Sequence, residues 1–270
     1  MKSLSLVALL AAAAFTPAAF GQSATSTVEF RNFHYTLTDL TPNDGLAPSA
    51  TFTFRTFLFG TGEDPKFSEK KYSTDDVVTQ NISMSMPGAT VYASTTAGTG
   101  QQHLNGASAY TYGSAIITGN EKRYGDTQYN YYSSSASVCD GTFTLAPGTK
   151  ITFYADVYAF ASSDTGVYTD QSVAYATGWL GGFDGHHDVV AEVQANAIHH
   201  GDYGLKTEEK TQSLELSFSN YNAEPFTSYV YAGAQSSGTA VDMAPVPEPS
   251  TYAMFFAGLG LIAFAKRRRT

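Results

Sequence analysis

Hydrophobic and polar residues alternate most clearly over 150–161. Ile151, Phe153, Ala155, Val157, Ala159 and Ala161 occupy one face there, and Lys150, Thr152, Tyr154, Asp156, Tyr158 and Phe160 the other. A period of two marks an extended chain with one buried side, so this stretch predicts one strand, or two joined at a bulge. The same alternation runs through 213–219, where Leu214, Leu216 and Phe218 interleave with Ser213, Glu215, Ser217 and Ser219. It recurs at 51–55 with Phe52 and Phe54. Both read as half-buried antiparallel strands. Further strands are predicted at 27–38, 78–86, 89–95, 109–117, 124–138, 171–179, 189–198 and 228–235. Turn signals at Pro87-Gly88, Asp140-Gly141, Pro147-Gly148 and Gly181-Gly182 separate them. About ten strands at this spacing, with no amphipathic helix between the termini, predict an all-β fold: an antiparallel two-sheet sandwich, jelly-roll-like.

Composition supports sheet over helix. The 270 residues include 18 Tyr, 18 Phe and 24 Gly, with only 14% charged, and aromatic and β-branched side chains suit a half-buried pleat. The formal charge of −9 hides an asymmetry, because Lys2, Lys266, Arg267, Arg268 and Arg269 sit in the terminal segments. Without those five the chain carries 10 basic and 24 acidic residues, or −14. So acidic a body repels phosphate backbones, which argues against nucleic acid as a partner. Cys139 is the single cysteine, so no intramolecular disulfide can form and the fold rests on its core.

The two ends read as addresses. Residues 1–21 combine Lys2, an apolar run containing four consecutive alanines, Pro17, and small residues at Ala19 and Gly21. That is the layout of a signal helix cleaved after Gly21. At the other end, Pro245-Val246-Pro247-Glu248-Pro249 forms a stiff extended spacer. An apolar run over 252–265 follows, then Lys266-Arg267-Arg268-Arg269. The run is about 14 residues, roughly 21 Å as a helix and short of the roughly 20 residues that usually span a bilayer. Snorkelling of Lys266 and local thinning make up the difference, and the four cations fix that side as cytoplasmic. Three segments result: a signal peptide at 1–21, a β-sandwich domain at 22–244, and a sorting segment with a transmembrane helix at 245–270.

Val246-Pro247-Glu248-Pro249-Ser250, the short helix with Gly258 and Gly260, and the terminal Arg cluster together resemble the PEP-CTERM sorting signal of exported Gram-negative proteins. The resemblance covers about 25 residues and is ordered in three parts, as a membrane-handled C-terminal signal requires. It implies recognition of Val246, Pro247, Glu248 and Pro249 by exosortase, a membrane-embedded cysteine peptidase or transpeptidase. It also implies transient anchoring through the helix, with Lys266, Arg267, Arg268 and Arg269 as the membrane stop. Removal of the tail and delivery to the cell surface or to exopolysaccharide and biofilm would follow. The segment 37–49 is similar to one found in some PEP-CTERM proteins; physically it is a strand end and a turn built on Pro42 and Asn43-Asp44-Gly45. No Leu-Pro-x-Thr-Gly wall-sorting motif is present.

Chemistry-bearing residues do not converge. Four of the six histidines lie in His186-His187-Asp188 and His199-His200-Gly201-Asp202. The intervening 189–198 reads as a strand about 30 Å long, so the pairs cannot share one ion. Solvated turn histidines are the favoured reading, and a weak metal site or a pH-sensitive loop the rival. Asp44, Asp140, Asp184 and Asp202 fall in Gly-containing turns that match no spaced calcium loop. Tyr124, Tyr129, Tyr131 and Tyr132 with the Tyr154/Tyr158 face offer rings for sugar stacking or for ordinary sheet packing. Trp179 is expected in the core or at a sheet corner. No nucleophile elbow, zinc-peptidase helix or phosphate loop occurs, and Cys139 has no activating neighbour. The expectation is a non-enzymatic structural protein without a cofactor. The alternative is a carbohydrate-binding sandwich recognising exopolysaccharide.

Overall fold

The computed structural model describes residues 22–243, except 63–67, 75–78, 87, 97–103, 118–122, 125–126, 166–170, 201 and 203. The signal helix, the sorting segment and the transmembrane helix therefore lie outside the described residues. Thirteen strands make up the regular structure among the described residues. In chain order they are β1 (Gln22–Asp39), β2 (Ala50–Gly62), β3 (Ser68–Thr74), β4 (Gln80–Met86), β5 (Ala89–Thr96), β6 (Ala107–Ile117) and β7 (Arg123–Tyr124). Then come β8 (Thr127–Leu145), β9 (Thr149–Thr165), β10 (Gln171–Phe183), β11 (Asp188–His200), β12 (Gly204–Asn220) and β13 (Phe226–Met243).

All pairings are antiparallel and form two sheets. Sheet A runs β12-β9-β1-β6-β5-β4 and sheet B runs β11-β10-β13-β8-β2-β3, with β7 hooked onto β8. The sheets face each other strand for strand, β12 over β11, β9 over β10, β1 over β13 and β6 over β8. The two-sheet expectation holds, but the strand order is not that of an eight-stranded jelly roll. Consecutive strands β2–β3, β4–β5–β6 and β10–β11 pair inside one sheet instead of alternating between sheets.

The interior is graded from end to end. One half is filled by interlocking rings: Phe33 stacks on Phe153 at 5.9 Å, Phe143 meets Phe153 at 5.7 Å and Phe218 at 5.0 Å, and Tyr35 meets Phe52 at 4.8 Å. Leu145, Ile151, Leu180 and Leu214 complete this broad half. The other half is lined by Ala24, Ala159, Ala161, Ala174, Ala176, Ala195, Ala197 and Ala234, all buried, with buried Ser26, Ser134, Ser163, Ser172 and Ser236 between them.

Serine hydroxyls in this thin half reach the backbone of the opposite sheet. Ser172 Oγ donates to Ser23 O at 2.7 Å, and Ser134 Oγ and Ser236 Oγ donate to Tyr112 O and Thr111 O, each at 3.3 Å. A hydroxyl extends only two bonds from its Cα, so these contacts need backbones closer than the usual roughly 10 Å between sheets. The largest ring placed there belongs to Tyr132, 1% exposed. It lies where a Cβ on Gly113 or on Gly238 would collide with it, at 1.8 and 2.6 Å. Its hydroxyl shares a 2.8 Å bond with Ser26.

Two bulges reverse the alternation inside long strands. In β1 the register shifts around Asn32 (φ 55°), so burial passes from Ala24, Ser26, Val28 and Phe30 to Phe33 and Tyr35. In β8 it shifts at Val138, and burial passes from Tyr132, Ser134 and Ala136 to Cys139, Phe143 and Leu145.

Several sequence-based expectations change. Asp140-Gly141 is no turn: it lies within β8, where Asp140 pairs with Arg55 at 3.0 Å. Gly181-Gly182 also lies inside β10, and the turn comes at 184–187. The ring of Tyr231 covers Gly181, and the carbonyl of Tyr229 and the ring of Phe218 sit where a Gly182 Cβ would be. The 213–219 strand begins at Gly204, and β3 carries no apolar alternation to announce it. The stretch 150–161 is one unbroken strand within β9, with its predicted apolar face buried throughout.

Replacing Tyr132 with Phe, which deletes the Ser26 contact alone, should cost about 1 kcal/mol, whereas Tyr132→Ala should cost about 3–5 kcal/mol by opening a cavity. Urea denaturation of the two variants measures this. Equal losses would mean that the ring does not fill the thin half.

Candidate functional site

The broad end of the sandwich carries the turns at 40–49, 146–148, 184–187 and 221–225. The carboxylates of Asp44 and Asp184 are occupied by the protein itself. Asp44 accepts from Thr41 Oγ1 at 2.6 Å and from the Leu46 N–H at 2.8 Å, which hold it below the usual carboxylate range. Asp184 accepts from the N–H groups of His187 at 3.0 Å and His186 at 2.8 Å, and is lowered by those bonds. Such side-chain-to-backbone bonds shape a turn and leave few lone pairs for a cation. His186 and His187 are exposed, with His187 Nε2 3.5 Å from Asp184. Among the described residues no group of three or more His, Cys, Asp or Glu side chains is arranged to hold a metal ion.

His199 departs from the solvated-turn expectation. It is the penultimate residue of β11, at the end of the strand opposite His186 and His187, and is fully buried. Its Nε2 lies 3.3 Å from Ser163 O on the facing sheet, and its Nδ1 lies 3.0 Å from Asp202. Lys206 also pairs with Asp202 and is the main reason that this carboxyl is lowered. His199 thus ties β11 to β9 where the sheets approach; the side chain of His200 lies outside the described residues. Cys139 is buried as well, and burial raises its thiol pKa, which suits an inert core residue.

The tyrosines do not form one platform. Tyr132 is in the core, and the side chain of Tyr124 lies outside the described residues. Tyr154 and Tyr158 are half-buried on the outer face of sheet A, where Tyr154 stacks on His34 at 5.1 Å. Tyr129 and Tyr131 are half-buried on the outer face of sheet B, on the other side of the molecule. Sheet B's outer face also bears a row missed in the sequence: Phe183, Tyr229 and Tyr231, with near-parallel rings at 6.1 and 5.9 Å. Trp179 is half-buried on that face, 3.2 Å from where a Gly233 Cβ would sit, and not in the core. The signal was present, since Gly181 pairs with Tyr231 and Trp179 with Gly233, two aromatic–glycine pairs on adjacent strands. Tyr229 donates to Asp188, which pushes its hydroxyl up to about 12.

On sheet A the bulge at Asn32 aims its amide at Asp156 (2.9 Å), which also accepts from Ser213 at 2.6 Å; Asn32, then Ser213, lowers that carboxyl. A depression of about 150 Å³ beside it is lined by Glu29, Arg31, Ser94, Ser108 and Tyr110. That is about half the lower bound of ordinary small-molecule sites, which run from roughly 300 Å³ upward.

The remaining functional feature is where the body hands over to its C-terminal segment. β13 ends at Met243 in the thin half, beside the start of β1: Ala240 pairs with Ser172, whose hydroxyl holds Ser23. Residues 245–269, beginning two positions later, match the family described as the PEP-CTERM protein-sorting motif. The chain carries a PEP-CTERM sorting signal. No curated protein and no solved structure matches the chain. The PEP-CTERM match contains Val246, Pro247, Glu248 and Pro249, together with Lys266, Arg267, Arg268 and Arg269. It implies export, delivery to the surface or the extracellular space, and processing by exosortase. No helix among the described residues is long and apolar enough to cross a membrane.

Acid should weaken the β domain in a defined window. Asp44, Asp156, Asp184, Asp202 and Glu208 all have lowered folded pKa values. The unfolded chain therefore binds protons more tightly, and their contribution is complete above the unfolded values of about 4 and lost as pH falls through the folded ones. Thermal melts should give a steady Tm above about pH 5 and a decline below about pH 4, shallower in Asp156→Asn. A Tm that rises on acidification contradicts this.

Proposed function

We propose that this chain is a non-enzymatic structural protein of the Gram-negative cell surface or extracellular matrix, matured by exosortase. The leader 1–21 is removed on export, and the 252–265 helix anchors the protein transiently with Lys266–Arg269 on the cytoplasmic side. Cleavage near Pro247–Glu248–Pro249 then passes the sandwich to an exopolysaccharide or biofilm matrix. The observation that carries this reading is the sorting motif starting two residues after the last strand. Three prolines in five residues cannot continue a strand ladder, which suits a peptidase that needs an extended chain free of sheet pairing. The occupied carboxylates and the buried thiol support a structural role over chemistry.

Intact mass of the protein recovered from its host's surface and medium tests the sorting. We expect a species lacking 1–21 and ending near 247–250, and its loss when exosortase is deleted or Glu248 is replaced by Ala. A mass that retains Thr270 would mean a permanently anchored protein.

A second reading, carbohydrate binding, is favoured by the sheet B row. Tyr229 is 38% exposed, and Trp179 and Tyr231 lie over glycines beside Gln235, Glu192 and Asp188, a pairing of flat apolar rings with hydrogen-bonding groups that suits sugar rings. Affinity electrophoresis through the host's polysaccharide should retard the wild type but not Trp179→Ala or Tyr231→Ala. Tyr154→Ala, on the opposite sheet, should behave as wild type; equal retardation of all four removes this reading.

A further inference from the structure

β11 is the outermost strand of sheet B, and β12 the outermost strand of sheet A directly across from it. Along β12 the inward-facing row ends in Leu214, Leu216, Phe218 and Asn220, which enter the broad core. The same row begins with Lys206, Glu208 and Lys210 in the thin half. The tips of these three reach across to β11 while their side chains stay partly exposed. Lys206 Nζ donates to Ile198 O at 2.8 Å, Glu208 Oε2 accepts from the Asn196 N–H at 2.6 Å, and Lys210 Nζ donates to Gln194 O at 2.7 Å.

Residues 194, 196 and 198 point their backbone groups to the free edge of β11. The alternation Lys-Glu-Lys matches, in order, the carbonyl, amide and carbonyl that an added strand would engage. Three side chains therefore occupy the positions of a missing neighbour, and an exposed sheet edge is what natural sheets most need to guard.

We infer that the Lys206–Glu208–Lys210 row is a lock on the edge of β11, and that the edge beneath it is a pairing surface for a second copy of this chain. Self-pairing is favoured by the sequence of β11 itself. Two antiparallel copies centred on Gln194 set Val190 against Ile198, Glu192 against Asn196 and Val193 against Ala195, with no like charges opposed. Val190 is 51% exposed and gains an apolar partner in that register. An isologous two-fold contact of this kind closes at a dimer and does not propagate through β11.

The test is the purified protein with Lys206, Glu208 and Lys210 all replaced by Thr, which keeps strand propensity and removes the lock. Sedimentation velocity should show wild type as a monomer and the triple variant shifting to twice the mass with rising concentration. Amide exchange at 190–198 should slow in that dimer. A folded triple variant that stays monomeric overturns the inference, as does a dimer whose protection appears at β3 or β4. If the triple variant captures an unrelated extended peptide in place of itself, the partner assignment is wrong. Should it not fold, Glu208→Ala serves alone: exchange at the Asn196 amide should accelerate by roughly tenfold, and an unchanged rate removes the lock.

Discussion

The close approach of the two sheets in the thin half is the constraint on which the rest of this molecule depends. Where serine hydroxyls reach the backbone of the facing sheet, the inward positions are held mostly by Ala, Ser and Gly. Tyr132 is admitted only because Gly113 and Gly238 leave a notch for it on either side. The same closeness brings His199 within reach of Ser163 O and lets three side chains of β12 bond the backbone of β11. Apolar burial per residue is small there, since alanine removes little surface from water. Cohesion comes instead from hydrogen bonds that leave few buried hydroxyls unsatisfied, each contributing about 1 kcal/mol. The broad half works the other way, with interlocked rings supplying area and edge-to-face contacts.

This grading gives the molecule two unlike ends. The start of β1 and the end of β13 meet in the thin half, and the PEP-CTERM signal follows there. The turns at 40–49, 184–187 and 221–225, with exposed Leu46 and Tyr221, are gathered at the far end. The end from which the sorting signal follows is thus hydrogen-bonded and lined by small residues, and the opposite end rests on the aromatic core.

Period-two alternation located the strands wherever one face meets the core, and β9 is the clearest case. It failed where neighbouring strands, not the core, decide the environment. Gly181-Gly182 looks like a turn because glycine punctuates chains, yet here it makes room for rings from Tyr231 and Phe218. The bulges at Asn32 and Val138 reverse parity, so Phe30 and Phe33 bury on one strand, which no fixed period anticipates. Tyr132 reads as a surface ring until its glycine notch on two other strands is known. His199 reads as a turn residue until Ser163, 36 positions away, is placed beside it. The sorting signal was legible because its residues are contiguous in the chain, so that no tertiary contact is needed to bring them together.

The charged start of β12 shows why legibility and function part company here. Lys206, Glu208 and Lys210 alternate with Thr207, Glu209 and Thr211, so the period of two is present, but in charge and not in hydrophobicity. Such a pattern reads as a solvated loop, because charged side chains at inward positions normally carry a desolvation cost. At the margin of a thin sandwich that cost is small: these side chains stay partly exposed while their tips meet backbone groups that would otherwise face solvent. A sandwich with an outermost strand on each sheet gains from charges that serve as hydrogen-bonding partners along that margin. The same six residues that hide the strand from a hydrophobic pattern keep β11 from pairing where pairing is not wanted.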